Sequence, residues 1–369
     1  MGTSATSAIR LATDNSAHQR NRPPQPTTIP RTGRDELDRR LEAKLRRELG
    51  EPVLALLADK RAEDVLLNPD SSLWVKRFGE RSARVDSIPE SRAATALGTI
   101  AAWRGTVLNR EHPFLETELP LDGSRFEGVV PPVVQRPVFA IRLRPYRIFC
   151  LDDYESRGIL TDKDDPCNRS RSLLRDFASA VRGMSHAEII RAAVREKKNI
   201  LIAGATGSGK TTLANGILDE LGRLAPHDRV VSIEDTSELQ SSVENRVELK
   251  ASGSVTMLDC LRACMRLNPT RIVVGEVRGA EAHTLLKAWN TGHPGGMATV
   301  HANDAMSGLI RLESLVAEAT TAPQQTLIAE AVDLVIFVDE EPEIAAGRKV
   351  REVLLVTGYS NGEYVAEHV

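Results

Sequence analysis

Residues 204–211 read GATGSGKT and match the pattern G-x-x-x-x-G-K-[ST] at every fixed position. Glycines at these positions let the backbone curl so that successive N–H groups point at a single anion. The ammonium group of Lys210 can reach the outer phosphates of a nucleoside triphosphate, and the hydroxyl of Thr211 can bind Mg²⁺. The residues predicted to surround the phosphates are Gly204, Ala205, Thr206, Gly207, Ser208, Gly209, Lys210, Thr211 and Thr212.

The segments on either side of this loop support the same interpretation. Residues 198–204, KNILIAG, form a short apolar run that predicts a buried strand. Residues 211–221, TTLANGILDEL, have the spacing of a helix whose N-terminal dipole would point at the phosphates. A strand before the glycines and a helix after them distinguish a phosphate-binding loop from a chance glycine-rich turn. We therefore predict ATP and Mg²⁺ as the cofactors.

Composition limits the classes of protein to which the chain can belong. Its 369 residues suggest about two domains, each long enough to bury a core. The 48 basic and 51 acidic residues nearly balance, which disfavours a dedicated nucleic-acid coat. Aromatic residues make up 4% of the chain, too few for a platform that stacks single-stranded bases. We therefore expect no strong direct binding of nucleic acid.

The cysteines and the apolar runs bear on the compartment. The chain has no apolar run near the ~18 residues that a membrane-spanning helix needs, and residues 1–20 lack the apolar core of a signal peptide. We expect a cytoplasmic protein that associates peripherally with the cytoplasmic face of the inner membrane. Cys150, Cys167, Cys260 and Cys264 form no C-x-x-C pair, which disfavours a zinc site. Core packing on a helix is favoured for Cys260 and Cys264.

Four regions follow one another along the chain. Residues 1–34, rich in Ser, Thr, Pro and Arg, predict a disordered tail. Residues 35–150 combine helical spacing with short strands, which is typical of a small α+β domain. Residues 151–186 are charged and contain several turn signals, which indicates a linker. Residues 187–369 alternate between strands and helices and form the second domain.

The second domain predicts an α/β fold. Its apolar segments, separated mostly by helical spacing, predict strands at residues 200–203, 230–234, 271–276, 298–301 and 334–338. Such alternation is the signature of a parallel sheet covered by helices on both faces. Residues 350–368, which surround Ser-Asn-Gly, predict a C-terminal hairpin.

Acidic residues follow two of the predicted strands. Glu234 and Asp235 end the strand of residues 230–234, and Glu276 ends the strand of residues 271–276. Carboxylates at the carboxyl edge of a parallel sheet lie beside a bound nucleotide. Glu276 can polarise the attacking water, while Glu234 and Asp235 can reach the metal through water. Many P-loop ATPases carry a metal-binding Asp just before this glutamate, but Gly275 occupies that position here. The alternative for Glu234 and Asp235 is an ordinary strand-end acidic pair that caps the next helix.

Histidine and arginine complete the candidate site. His301 ends the strand of residues 298–301 on the same edge, which favours a sensor of the γ-phosphate. Hydrolysis also calls for arginine, and Arg278 lies two residues after Glu276. Arg125 and Arg142, in the first domain, would act only if that domain closes over the nucleotide. His293 is compatible with shaping its turn or with reaching a neighbouring subunit.

Four ordered motifs resemble those of the secretion ATPase superfamily of type II and type IV secretion. GATGSGKT, IEDTSEL, LNPTRIVVGEVRGAEA and ATVHAN, within about residues 200–303, resemble its Walker A, Asp box, atypical Walker B and His box. The stretches LNPD, VVPPV and FAIRLRP resemble its N-terminal domain. AWNTGHPGGMATVHAND and IAEAVDLVIFV are most similar to the conjugal-transfer ATPases of the TrbB type.

The resemblance implies a RecA-like P-loop domain preceded by a smaller α+β domain. It implies a homohexameric ring in which Lys210 and Thr211 bind phosphate and Mg²⁺, Glu276 is the catalytic glutamate, and His301 senses the γ-phosphate. Glu234 would assist at the metal, and Arg125 and Arg142 would reach the phosphates. The partners implied are inner-membrane components of a secretion or conjugation complex.

We therefore predict a Mg²⁺-dependent ATPase that powers conjugative type IV secretion. Alternatives within the superfamily are a pilus ATPase and a type II secretion ATPase. A nucleotide-dependent assembly hub with incidental turnover is a further alternative, and a DNA translocase is disfavoured by the balanced charge.

Overall fold

The structure is a computed structural model that describes residues 32–145, 150–160 and 177–369. The tail predicted for residues 1–34 lies outside this part except for its end, where the first helix begins at Thr32. The predicted linker of residues 151–186 begins with a short helix and then passes outside the described residues at 161–176. None of the helices that the structure describes is long and apolar enough to cross a membrane.

The first domain is an antiparallel sheet covered by two helices. Its elements are α1 (Thr32–Ala58), β1 (Ala62–Leu67), β2 (Ser72–Arg77), β3 (Ala83–Ser87), α2 (Glu90–Arg104), β4 (Phe114–Glu118), β5 (Arg125–Val129) and β6 (Val138–Arg142), followed by α3 (Leu151–Ser156). The strand order is β3-β2-β1-β6-β5-β4. Helix α1 is interrupted at Gly50, whose φ of 73° is accessible to glycine at little cost. This places the kink at the break in helical spacing before Pro52.

The second domain is a three-layered α/β structure, which confirms the predicted fold class. Its elements are α4 (His186–Arg195), β7 (Ile200–Gly204), α5 (Lys210–Leu224), β8 (Val230–Glu234), β9 (Arg246–Lys250), α6 (Met257–Cys264), β10 (Arg271–Val274), α7 (Glu281–Asn290), β11 (Met297–His301), α8 (Ala305–Ala317), α9 (Gln325–Ala331), β12 (Leu334–Glu340), β13 (Arg348–Ser360) and β14 (Glu363–His368). The strand order is β14-β13-β12-β7-β11-β10-β8-β9. Six neighbouring strands, from β12 to β9, are mutually parallel.

The predicted strands and the C-terminal hairpin are confirmed, with two differences. Strand β10 ends at Val274, so that Glu276 lies in the loop beyond it rather than within the strand. Strands β3, β4 and β9 were not predicted. All residues of β3 are exposed, and β4 and β9 have few buried residues, so the apolar signal in these segments is weak. Cys260 and Cys264 are fully buried on α6, which confirms core packing.

The two domains share one hydrophobic core. Leu66, Trp74 and Val129 of the first domain belong to the same buried cluster as Val231 and Ile233 of the second. This continuity explains why the domains pack as a single unit in one chain.

A buried arginine links the domains through polar contacts. The guanidinium of Arg229, fully enclosed, donates through Nη1 to Asn68 Oδ1 at 2.5 Å and to Asn245 Oδ1 at 2.6 Å, and through Nε to the Leu267 carbonyl at 2.8 Å. Burial lowers the pKa of Arg229 to about 10, so the group remains charged at neutral pH. Asn68 belongs to the first domain and its partners to the second, so this network fixes their relative position.

A buried carboxyl group lies at the same interface. Glu127 on β5 is directly opposite Glu116 on β4, and its Oε2 is buried without a hydrogen-bond partner. Burial raises the pKa of Glu127 to about 8; the like charge of Glu116 adds to the shift and Arg266 opposes it. Arg266, two residues beyond the end of α6, forms an ion pair of 2.5 Å with Glu116. Glu127 therefore carries a proton at neutral pH in the folded chain.

The stability of the chain should depend on this proton. Between the unfolded pKa of about 4.5 and the folded pKa of about 8, the folded state binds one more proton than the unfolded state. Stability is therefore lost as pH rises through this window. Between pH 5.5 and pH 8, the free energy of unfolding of the parent chain should fall by on the order of 3 kcal/mol because of Glu127. We expect Glu127→Gln to lack this fall when the free energy of unfolding is measured by chemical denaturation.

Glu118→Gln is the matched control, because Glu118 is exposed on the neighbouring strand β4. The difference between each variant and the parent chain isolates one group from all others that titrate. A Glu127→Gln difference that stays constant with pH would contradict the raised pKa.

Candidate nucleotide-binding site

The loop of residues 204–211 requires glycine at three positions, two because of their backbone conformation and one because of close packing. Gly207 and Gly209 adopt φ angles of 83° and 97°, in the left-handed region. A Cβ on Gly204 would lie 2.4 Å from both Ser208 Oγ and the carbonyl oxygen of Val338. Strand β7 therefore leads into a tight turn that ends at the N-terminus of α5, as the sequence predicts. Residues 205–207 form the exposed rim of the loop, and Ser208 is buried beneath them.

Lys210 lies inside the loop to which it belongs. Its Nζ donates to the carbonyls of Gly204 at 2.9 Å and Ala205 at 2.8 Å, and lies 3.2 Å from His301 Nδ1. Burial lowers the pKa of Lys210, while the charge of Glu276 opposes this shift. The ammonium is thus held by two loop carbonyls, where an anion entering the loop would meet it.

A continuous chain of contacts runs from Lys210 across the carboxyl edge of the sheet. His301 Nε2 lies 2.7 Å from Glu276 Oε1, and Arg278 Nη2 donates to Glu276 Oε2 at 2.6 Å. Arg278 also forms an ion pair with Asp235. The hydrogen bond to Glu276 is the main reason that the pKa of Arg278 is raised. The structure therefore brings together the predicted residues Lys210, His301, Glu276 and Asp235.

Glu234 explains the glycine before Glu276. A Cβ on Gly275 would lie 2.8 Å from the Glu234 Cγ, so an aspartate at this position would collide with that side chain. Glu234 is buried, burial raises its pKa, and its Oε1 accepts from the backbone N–H groups of Glu238 and Leu239, each at 2.9 Å. The element that follows β8 is strand β9, so these hydrogen bonds hold the turn of residues 235–239 and do not cap a helix, the alternative that the sequence left open for Glu234.

Sequence reasoning missed Glu238. Its Oε2 accepts a hydrogen bond of 3.1 Å from the hydroxyl of Thr211, the group predicted to bind Mg²⁺. Asn215 holds this segment by donating to the Glu238 carbonyl at 3.1 Å and accepting from the Gln240 N–H at 2.8 Å. The sequence feature that could have pointed to Glu238 is its position four residues after a strand end. No local pattern, however, indicates that the chain folds back onto α5 at this point.

Thr212, the last predicted loop residue, is exposed on the first turn of α5.

Arg125 and Arg142 lie at the opposite edge of the second domain. Arg142 donates to Asp64 Oδ1 at 2.9 Å and to Asn268 Oδ1 at 3.1 Å, and Asn268 precedes β10. Arg125 lines a cavity of about 140 Å³ with Arg142, Asn268 and His293, which precedes β11. Strands of four or five residues, roughly 15 Å, separate this amino edge from the P-loop. The chain therefore does not bring these two arginines to its own P-loop.

The chain is similar to proteins of bacterial secretion. Residues 177–343 match the family described as "Type II/IV secretion system protein". The chain is 42% identical over 328 residues to the probable conjugal transfer protein TrbB of Sinorhizobium fredii, covering 89% of this chain and 93% of that protein. It is equally identical over 329 residues to the conjugal transfer protein TrbB of Rhizobium radiobacter, covering 89% and 94%.

A solved structure shares most of the fold. The crystal structure of the VirB11 ATPase from the Brucella suis type IV secretion system, in complex with sulphate, superposes with a TM-score of 0.75 at 26% identity. The match covers 86% of this chain and 96% of that one. The order of motifs, the fold and the extent of these matches agree, and the chain belongs to the family of type II/IV secretion system proteins and is an ATPase of that family.

Proposed function

We propose that the chain hydrolyses ATP with Mg²⁺ and works as a ring-forming motor of conjugative type IV secretion. The observation that carries the catalytic part is the contact chain from Lys210 through His301 to Glu276. It joins the phosphate-binding loop, which follows β7, to the carboxylate of Glu276, which follows β10. These strands are separated by β11, and the loop and Glu276 lie at the same edge of the sheet. Such an arrangement suits hydrolysis, because it places a base beside the loop that holds the phosphates.

Each member of the contact chain has a role in this proposal. Lys210 leaves the loop carbonyls and neutralises the β- and γ-phosphates. Glu276 polarises the attacking water, and Arg278 positions that carboxylate through the 2.6 Å hydrogen bond. His301, which contacts both Lys210 and Glu276, transmits the presence of the γ-phosphate from one to the other.

The residues around Thr211 fit Mg²⁺. The ion prefers oxygen ligands and retains several waters, so it needs few protein groups. The Thr211 hydroxyl and the Glu238 carboxylate, 3.1 Å apart, supply oxygen donors of this kind. Within the described residues no cluster of three or more His, Cys, Asp or Glu side chains could hold a metal alone. Phosphate oxygens would therefore complete the shell, and bound Mg²⁺ would neutralise charge that develops on them. Glu234 and Asp235 stay at the distance of a water-mediated contact in this proposal.

Two substitutions test the catalytic assignment by phosphate release. Lys210→Ala should lose ATP binding and turnover, because the loop then lacks its positive charge. Glu276→Gln should retain ATP binding and lose turnover by about 10²–10⁴-fold, the usual contribution of a general base. Lys287→Ala and Glu244→Gln, both exposed, are the matched controls. Full turnover in Lys210→Ala would refute the proposal, and brisk turnover in Glu276→Gln would move the base elsewhere.

The role of Glu238 is tested separately. Glu238→Gln keeps the shape of the side chain but removes its charge next to Thr211. We expect the Mg²⁺ concentration for half-maximal ATPase activity to rise about tenfold, as for other residues that support a metal ligand. The same titration of Glu244→Gln should match the parent chain. An unchanged Mg²⁺ dependence in Glu238→Gln would limit that residue to a structural role.

The position of Arg125 and Arg142 supports a ring. Both lie at the amino edge of the second domain, whereas the P-loop lies at its carboxyl edge. A head-to-tail interface would place the amino edge of one subunit against the carboxyl edge of the next, and such interfaces form a ring when the rotation between subunits closes. The arginines of one subunit would then reach the phosphates held by its neighbour. Release of these contacts after hydrolysis would let the subunits move as rigid bodies, which is the work stroke.

Mixing two inactive variants tests this arrangement. Lys210→Ala subunits keep their arginines, and Arg142→Ala subunits keep their P-loop. If the site is shared between subunits, the mixture should exceed the summed ATPase activity of the two variants measured alone. The pairing of Lys287→Ala with Arg142→Ala serves as the control for simple dilution. A mixture that shows only the sum would place Arg142 outside the site of its neighbour.

Similarity to the conjugal transfer proteins supports conjugation over pilus or type II function. The proposed partners are inner-membrane components of a conjugation complex, and the proposed location is the cytoplasmic face of that membrane. The Glu276→Gln variant also separates a motor from an assembly hub in mating cells. A motor requires turnover and the variant should abolish transfer, whereas a hub would continue to support it.

A further inference from the structure

The hairpin of β12 and β13 lies over the P-loop. Glu340 and Arg348 pair across these two strands, and each reaches a glycine of the loop. A Cβ on Gly207 would lie 3.5 Å from Glu340 Oε1, and one on Gly209 would lie 2.7 Å from Arg348 Cδ. The Arg348 side chain therefore packs directly on the loop backbone.

Arg348 also reaches the first turn of α5. Its Nη1 donates to the hydroxyl of Thr212 at 3.4 Å, a long contact to an uncharged acceptor. Arg348 is exposed, and its Nε and Nη1 would each lie 3.3 Å from a Cβ on Gly209, which places the guanidinium beside the loop. A phosphate oxygen would be a stronger acceptor than the hydroxyl, because both charges would contribute and the guanidinium can bind two oxygens. The guanidinium is thus available for an anion held by the loop.

The sheet order defines which part of a nucleotide would meet Arg348. Strands β11 and β10, which carry His301 and Glu276 at their ends, lie on one side of β7. Strand β12 and the hairpin lie on the other side of β7. If His301 and Glu276 mark the γ-phosphate end, as in the proposed function, the triphosphate would run across the loop toward β12. The α-phosphate and the nucleoside would then leave the loop beside the hairpin.

We propose that Arg348 binds the α-phosphate of the nucleotide and so fixes the nucleoside end of the substrate. This inference rests on the proposed function, since it assumes ATP in the P-loop. Thr212 follows Thr211 on the first turn of α5, so its contact to Arg348 places the guanidinium beside the start of that helix. The guanidinium would supply a charge that the backbone N–H groups at this end of the loop lack.

The hairpin is built to hold Arg348 in place. The Glu341 N–H donates to the Gly347 carbonyl at 2.9 Å, which closes the turn of residues 341–347. Arg351 pairs with Glu341 at 2.7 Å and ties the turn to β13. A cation on a closed hairpin loses less conformational entropy on binding than one on an open loop. Arg348 is therefore a prearranged ligand for the nucleotide rather than a mobile surface charge.

The test is calorimetric binding of ATP, ADP and pyrophosphate, each with Mg²⁺, to the full chain. ATP and ADP both carry an α-phosphate beside a nucleoside, whereas pyrophosphate can fill the inner part of the loop alone. We expect Arg348→Ala to weaken ATP and ADP about tenfold, the size of one charge-assisted hydrogen bond. Pyrophosphate should bind within twofold of the parent chain. In turnover, KM should rise with kcat unchanged, because the α-phosphate contact is equal in the ground and transition states.

Lys349→Ala is the matched control. Lys349 is the next residue on β13, is equally exposed, and points to the opposite face of the strand. It should bind all three ligands like the parent chain. Arg348→Lys keeps the charge but loses the two-pronged donor, so it should restore part of the affinity. Equal thermal unfolding of the ligand-free variants should show that their folds are intact.

The outcomes separate this inference from the proposed function. ADP affinity in Arg348→Ala equal to that of Lys349→Ala would overturn the inference while leaving ATP hydrolysis intact. An equal loss for pyrophosphate would also overturn it, because the guanidinium would then act on the inner phosphates. A parent chain that binds neither ATP nor ADP would overturn both proposals together.

Discussion

The parallel register of six neighbouring strands is the constraint on which the site depends. Because these strands point the same way, their carboxyl ends meet at one edge and bring side chains that are far apart in sequence into contact. Lys210 and His301 are 91 residues apart, yet their nitrogens lie 3.2 Å from each other. A single antiparallel strand within this group would move one of these ends to the other edge.

Close packing explains why glycine occupies two positions of the sequence motifs. Gly204 is required because Ser208 and the Val338 carbonyl leave no room for a Cβ. Gly275 is required because Glu234 occupies the adjacent space. The atypical Walker B motif is therefore a packing solution, in which a buried glutamate takes the volume where an aspartate would otherwise lie. In the proposed function, oxygens around Thr211 would then bind the metal.

Two long-range arrangements fix the position of the first domain on the second. The shared core and the Arg229 network join the domains firmly, so that the first domain follows the second as one body. That same packing carries Arg125 and Arg142 away from the P-loop of their own chain. A site that needs arginine from a neighbouring subunit would couple hydrolysis to the contact between subunits, which is what a ring-shaped motor requires.

The sequence by itself determined the P-loop, the strand and helix on either side of it, and the α/β class. It also determined that Glu276 and His301 lie near strand ends. These features depend on local spacing and apolar periodicity. The tertiary structure decided that Glu238 contacts Thr211, that Arg348 packs on the loop, and at which edge the first domain docks. Those contacts join segments 27 to 136 residues apart. No local pattern encodes them, because they follow from how the layers pack against one another.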